Sequence, residues 1–271
     1  MKTLLPLLLA TTGLIMPLSA QNLLTNGNFE TGELSPWTGQ GIVSSEGAGD
    51  GFVCYVPEFN RVSQTAVTKP GTRYYLAADA ILFNAGTINF SAEPAAGGEP
   101  DGKVTASGGG GILVRKSVTF TASSASTNVV LHFQGGSDPT YFDNVVLYEL
   151  SPSKLAGRYT GVASLTVAVN DPNVANESIR KVTARITAEG RIVILDGTTN
   201  IYAGLILDDG TFDLAIGLTE VGVVRVQGKA GVSGKHVRFR FKGPSLPAVD
   251  EVFTRLDNTV TTELALIRVG R

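Results

Sequence analysis

A small set of side chains on short alternating runs has the residue types that a sugar would need. In Arg73–Phe83 (RYYLAADAILF) a period of two places Tyr74, Leu76, Ala78 and Ala80 on one side as core, with Tyr75, Asp79 and Phe83 on the other. The same alternation on neighbouring runs turns Tyr55, Asn89, His132 and Gln134 outward. A saccharide presents apolar C–H faces and polar rims, so a flat aromatic beside amide, carboxylate or imidazole groups suits it. Each member also has a plainer reading, because outward tyrosines are common on sandwiches and His132 serves equally as a solvated strand residue. A second set is acidic: Glu30 ends the first apolar run, Asp50 lies in the glycine-rich loop Glu46–Gly51, and Asp143 stands at the mouth of a valine- and leucine-rich run.

Other chemistries are poorly provided for. The chain has 2 histidines and 1 cysteine, with no nucleophile elbow, zinc-ligand cluster or phosphate loop. The Gly108–Gly111 run lacks the lysine and Ser/Thr that end a phosphate loop, and no helical pattern follows it. Alternation in FVCYV puts Phe52, Cys54 and Val56 on one face, which makes Cys54 a buried, inert thiol. Two carboxylates suffice for a glycosidase, so composition alone does not exclude one. The candidate acids nevertheless fall at strand ends and turns, where structural roles are commoner. The reading is not an enzyme.

Residues 1–20 read as a signal peptide. Lys2 gives a positive start, Leu4–Leu18 is apolar but broken by Pro6, Gly13 and Pro17, and Leu18-Ser19-Ala20 supplies small residues for cleavage before Gln21. That run is too short and interrupted for a membrane span, and no later run has spanning length. The expectation is a secreted, periplasmic or cell-surface protein without a transmembrane segment. Charged residues are only 17%, against about 25% in typical domains. The 32 glycines and 12 prolines punctuate many short Val, Ile, Thr and Phe runs, the texture of an all-β chain. Export and a net charge of −2 argue against a nucleic-acid partner. Nothing in the sequence speaks to oligomeric state.

Ser151-Pro152-Ser153-Lys154 marks a boundary between a first domain over 21–150 and a second over 157–271, with 151–156 as linker. Residues 21–150 hold 12 acidic and 6 basic residues, a net of −6, and residues 151–271 hold 12 acidic and 15 basic, a net of +3. Opposite signs suggest that the domains dock. Strands are expected near 22–30, 39–46, 51–57, 60–67, 72–82, 86–93, 112–121, 127–135 and 140–149, with Gly97–Gly111 as a long loop. The second domain has expected strands near 157–169, 178–188, 191–196, 199–207, 211–217, 221–229, 234–242 and 259–269. In Val237–Lys242 (VRFRFK), Arg238, Arg240 and Lys242 share one face, with Arg225 and Lys229 expected on the adjacent strand. That stripe would suit an acidic polysaccharide or other anionic surface. A solvated strand face that discourages edge aggregation is the favoured alternative.

Two segments carry a resemblance. Asn22–Trp37 (NLLTNGNFETGELSPW) has apolar anchors at Leu24, Phe29 and Trp37 around an Asn26-Gly27 turn, and Tyr141–Leu150 reads YFDNVVLYEL. Together they resemble the start and finish of carbohydrate-binding modules of the family 4/9/22 type, over residues 22–150. The resemblance implies an N-terminal β-sandwich jelly roll of the galactose-binding-domain-like kind, with the two end segments side by side. A second antiparallel β barrel or sandwich follows, and its opening Leu155–Gly161 is similar to lipocalin-type small-barrel openings. The family often holds a structural calcium between the first strand, the following loop and the last strand. Glu30, Asp50 and Asp143 would then supply hard oxygen ligands. The alternative is that Glu30 and Asp143 cap strand ends or accept backbone amides. The function implied is that of an exported, non-catalytic carbohydrate-binding protein. It would hold poly- or oligosaccharide through Tyr55, Tyr75, Asp79, Asn89, His132 and Gln134. The competing reading is a cell-surface or extracellular-matrix adhesion protein that uses the jelly roll for protein contacts.

Overall fold

The computed structural model describes residues 21–45, 51–82, 86–108, 112–136, 140–168, 175–197, 199–218, 222–244 and 259–270. The expected signal peptide and Asp50 lie outside them. The first ten strands are β1 (Thr38–Gly39), β2 (Ile42–Ser44), β3 (Val53–Val56), β4 (Arg61–Val67), β5 (Arg73–Leu82), β6 (Gly86–Pro94), β7 (Gly102–Gly108), β8 (Ile112–Thr121), β9 (Ser126–Phe133) and β10 (Thr140–Glu149). Then come β11 (Gly157–Ala168), β12 (Ala175–Ile186), β13 (Arg191–Asp196), β14 (Thr199–Ile206), β15 (Thr211–Leu218), β16 (Gly222–Lys229), β17 (Gly231–Ser233), β18 (His236–Pro244) and β19 (Thr259–Gly270). The architecture is all-β. No helix among the described residues is long and apolar enough to cross a membrane.

The first ten strands build a two-layered jelly roll, with sheets ordered β1-β4-β9-β6-β7 and β2-β3-β10-β5-β8. We call these the front and back sheets. Alternation drives the layering. Val129, Leu131 and Phe133 of β9 and Ile88, Phe90 and Ala92 of β6 meet Tyr74, Leu76, Ala78 and Ala80 of β5 in one core. Cys54 is part of that core, and burial pushes its thiol up to about 12, as expected of an inert cysteine.

Two expectations change. The segment 22–37 forms no strand, because Asn26 and Phe29 sit at φ +52° and +53°, outside the extended region. It still lies beside β10: Leu23 N donates to Leu147 O at 2.9 Å and Val145 N to Gly27 O at 2.8 Å. Gly27 is required there, since a Cβ would fall 2.1 Å from Val145 O. Leu24, Phe29 and Trp37 are buried in the core as anchors. The expected long loop at 97–111 instead contains β7, the edge of the front sheet. Lys103, Thr105 and Ser107 alternate there with Val104 and Ala106 beneath the glycine-rich texture.

The remaining nine strands form one sheet ordered β16-β15-β14-β13-β12-β11-β19-β18-β17, with β16 packed against β18 so that the sheet curls toward closure. Val237 and Phe239 point into its core, while Arg238 and Arg240 are exposed. The hydrogen-bonded neighbours of β18 are β17 and β19, so Arg225 and Lys229 of β16 are not on an adjacent strand of the ladder. The short edge strand β17 was not anticipated.

This curled sheet covers the outer face of the back sheet. Tyr75, Ala77, Val146, Tyr148 and Leu150 pack with Leu205 and Leu207. Beside that apolar patch, Arg115 Nη1 reaches Asp79 Oδ1 at 2.8 Å and Nη2 reaches Asp213 Oδ2 at 2.6 Å, with the side chains of the three only 2–4% exposed. Burial disfavours the guanidinium charge, but Asp79 and Asp213 outweigh it and raise the Arg115 pKa. An exposed pair, Arg73 with Glu189 at 2.6 Å, adds a contact between the same halves. Removing the shared cation would leave two buried carboxylates without their guanidinium. Arg115→Met is therefore expected to cost about 3–5 kcal/mol, read as an earlier first transition in urea. Lys69→Ala, which breaks the exposed pair with Glu149, should leave the urea curve nearly unmoved; equal effects of the two would refute this account.

Candidate functional site

With the back sheet covered, the outer face of the front sheet is the open one. On β4 the outward positions are Arg61, Ser63 and Thr65; on β9 Asn128, Val130 and His132; on β6 Asn89, Ser91 and Glu93; on β7 Lys103 and Thr105. Antiparallel register aligns them into rows. Arg61 faces His132, His132 faces Asn89 and Asn89 faces Thr105. One step along, Ser63, Val130, Ser91 and Lys103 form a second row.

These rows floor a groove of about 540 Å³, lined also by Gly39, Gln40, Asn60, Pro100 and Phe59. Phe59 sits in the turn between β3 and β4 at φ +58° and is 72% exposed, a large aromatic held in solvent at the groove's edge. The polar groups are partly tied down. Thr105 Oγ1 donates to Asn89 Oδ1 at 2.6 Å, and Ser91 Oγ donates to Glu93 Oε1 at 2.7 Å. Asn89 is 4% exposed, and its Nδ2 has no hydrogen-bond partner among the described residues. An amide so placed can donate to an oxygen that enters the groove, and leaving it unmatched costs about 1–3 kcal/mol.

His132 is held below its ordinary pKa of 6.5, first by burial and then by the Arg61 and Lys103 charges, with Glu93 opposing. The imidazole is therefore neutral at neutral pH and offers one donor and one acceptor.

The sequence-expected site residues divide between two faces. Asn89 and His132 are neighbours in the groove, and Gln134 follows two residues beyond His132 at the end of β9, exposed. Tyr55 belongs to the back sheet, where its ring meets Tyr141 edge-on at 5.8 Å. Tyr75 and Asp79 do point away from the core, as alternation requires, but the second half covers them to 3% and 1% exposure. Their expected place on an open sugar face is thus corrected: Tyr75 joins the apolar contact and Asp79 the ion cluster.

The expected calcium ligands are also dispersed in their bonding. Glu30 Oε1 accepts the Phe52 amide at 3.1 Å and abuts Gly51. Asp143 Oδ1 accepts the Asn144 amide at 2.6 Å and its Oδ2 accepts Asn144 Nδ2 at 2.8 Å, with the same Nδ2 3.0 Å from Asp79 Oδ2. Among the described residues no three His, Cys, Asp or Glu side chains come together to hold a metal.

Phe59, Arg61, Ser91, Glu93, Lys103 and Val130 were not anticipated as groove residues. The alternation that exposes Arg61 and Ser91 was legible, and an aromatic in the polar turn Pro57–Asn60 was a signal for Phe59.

No family model matches the chain, and no curated protein matches it. Solved structures do show likeness. TmCBM61, solved in complex with β-1,4-galactotriose, is 18% identical over 48% of this chain and 99% of its own, with a TM-score of 0.41. A CBM4 structure is 16% identical over 46% and 98%, with a TM-score of 0.37. The CBM22-1–CBM22-2 tandem of Paenibacillus barcinonensis Xyn10C is 9% identical over 93% and 98%, with a TM-score of 0.39. Each likeness concerns the fold alone.

The depressed His132 pKa has a stability consequence. Below pH 6.5 the unfolded chain takes up the proton before the folded one, so stability falls as pH drops through that window. His132→Gln should flatten the fall in urea midpoint as pH drops below about 6.5; an unchanged slope would show that His132 is not held neutral.

Proposed function

We propose that the protein binds a neutral poly- or oligosaccharide in the front-sheet groove and is not a catalyst. The observation that carries this reading is the pairing of an exposed aromatic, Phe59, with a buried and unmatched amide, Asn89 Nδ2, across one groove. A pyranose has matching parts: an apolar face for the ring and hydroxyl oxygens for the amide. Val130 supplies an apolar floor one row beyond Asn89, and neutral His132 can donate or accept without a net charge. Glu93 is the one carboxylate among the described residues that line the groove. Glycosidic cleavage ordinarily uses two, so a single one supports binding without turnover. Export by the leader at 1–20 belongs to the same proposal and fits a ligand found outside cells.

Affinity electrophoresis of the full chain in gels containing galactan, xylan or β-glucan tests the reading. At least one polymer should retard the protein, and Phe59→Ala or Asn89→Ala should weaken that retardation roughly tenfold. Tyr75→Phe should leave it unchanged. No retardation on any polymer, or retardation indifferent to both groove substitutions, would overturn the proposal.

A calcium ion with Glu30, Asp50 and Asp143 as its expected ligands is a further part of it; the Glu30 carboxylate lies against the backbone at Gly51. Such an ion would add folding stability through its oxygen ligands. EDTA should then lower Tm by several degrees and added calcium restore it. An identical Tm in both would mean that Glu30 serves the Phe52 amide alone.

A further inference from the structure

A second concavity, of about 720 Å³, lies where the linker meets the curled sheet, and four basic side chains line it: Lys154, Arg158, Arg185 and Arg268. Glu189 is the one carboxylate lining it, and Arg73 already engages that group at 2.6 Å. Among the described residues no carboxylate pairs with the four cations. Two of them are set against each other, since Arg158 and Arg185 are direct cross-strand partners on β11 and β12. Like charges in that position repel and destabilise a sheet. An anion seated between them would relieve the repulsion.

Arg268 points to the same chemistry. Its Nη2 donates to Lys154 O at 2.6 Å and Ala156 O at 2.5 Å, and its guanidinium carbon lies 5.7 Å from the Tyr159 ring centroid. The head group is thereby held rigid, yet its Nε is buried without a hydrogen-bond partner among the described residues. Gly157 lets that head group lie close to the backbone, since a Cβ there would fall 2.9 Å from Nε and 2.7 Å from Gly270 O. A guanidinium presents its donors as a planar fork suited to carboxylate and sulfate oxygens.

We propose that this concavity binds an oxyanion group, carboxylate or sulfate ester, carried by an acidic polysaccharide. A polymer is favoured over a free ion because the basic track continues. On the same outer face, Lys181 lies four residues before Arg185 on β12, about 13 Å away, and shares a row with Val162, Ala265 and Arg238. The site is separate from the front-sheet groove and stands or falls independently of it.

The test is affinity electrophoresis of the full chain in gels containing polygalacturonate, dextran sulfate or uncharged dextran. Polygalacturonate, dextran sulfate or both should retard the protein more than dextran does, and added salt should abolish the difference. The combined substitution Arg158→Ala and Arg185→Ala should weaken that retention at least tenfold while leaving retention on neutral glycans intact. Phe59→Ala should do the reverse, which separates this proposal from the groove. Arg268→Lys keeps the charge but loses the fork, and should weaken retention without lowering Tm by more than a few degrees. Retention unchanged in the Arg158/Arg185 variant, or retention abolished only by Arg238→Ala with Arg240→Ala, would overturn the assignment. Equal mobility in all three gels would do the same.

Discussion

The structure depends on one buried guanidinium. Arg115 of β8 is gripped by Asp79 of its own sheet and by Asp213 of the second half, with all three side chains nearly sealed from solvent. A lysine could not replace it, because a planar fork holds two carboxylates by separate nitrogens whereas an ammonium is a point charge. Charges buried this way are tolerated only as a set, so their geometry fixes where the second half sits. The docked half then seals Tyr75, Ala77, Val146 and Tyr148 under Leu205 and Leu207. The back sheet thereby becomes an interface, and the front sheet is left as the face on which a ligand can act.

Charge is used locally rather than globally. The first half has an excess of acids and the second an excess of bases, which suggests attraction between net charges. The pairs that form run the other way: Arg73 and Arg115 come from the acidic half, and Glu189 and Asp213 from the basic one. Docking therefore consumes the minority charge on each side. Much of the basic excess of the second half stays at its surface, including the rim around Arg158 and Arg185.

Much of this was legible in the chain because alternation is a local property. The inward set Tyr74, Leu76, Ala78, Ala80 and the outward set Tyr75, Asp79 could be read from Arg73–Phe83, and the structure keeps both sets. What covers the outward set could not be read, since Asp213 and Leu205 lie more than a hundred residues downstream and meet it only through docking. Cys54 was legible as core for the same local reason, and Trp37 as an apolar anchor of the segment that carries the resemblance. The strand at 102–108 was hidden by flanking glycines, and with it Lys103. Phe59 was missed because a turn aromatic has no periodicity to declare its direction; only the fold of β3 onto β4 aims it at the groove. Asn89 and His132 were recognised singly, and register made them neighbours.

The central claim is that the front sheet meets the saccharide while the back sheet holds the molecule together. Amide chemical-shift mapping during titration with an oligosaccharide fragment of a polymer that retards the protein measures this directly. The account predicts shifts concentrated at Phe59–Arg61, Asn89–Ser91 and Val130–His132, with Tyr75–Asp79 and Val146–Tyr148 silent. Shifts centred on β5 and β10, with the front-sheet rows unmoved, would contradict it.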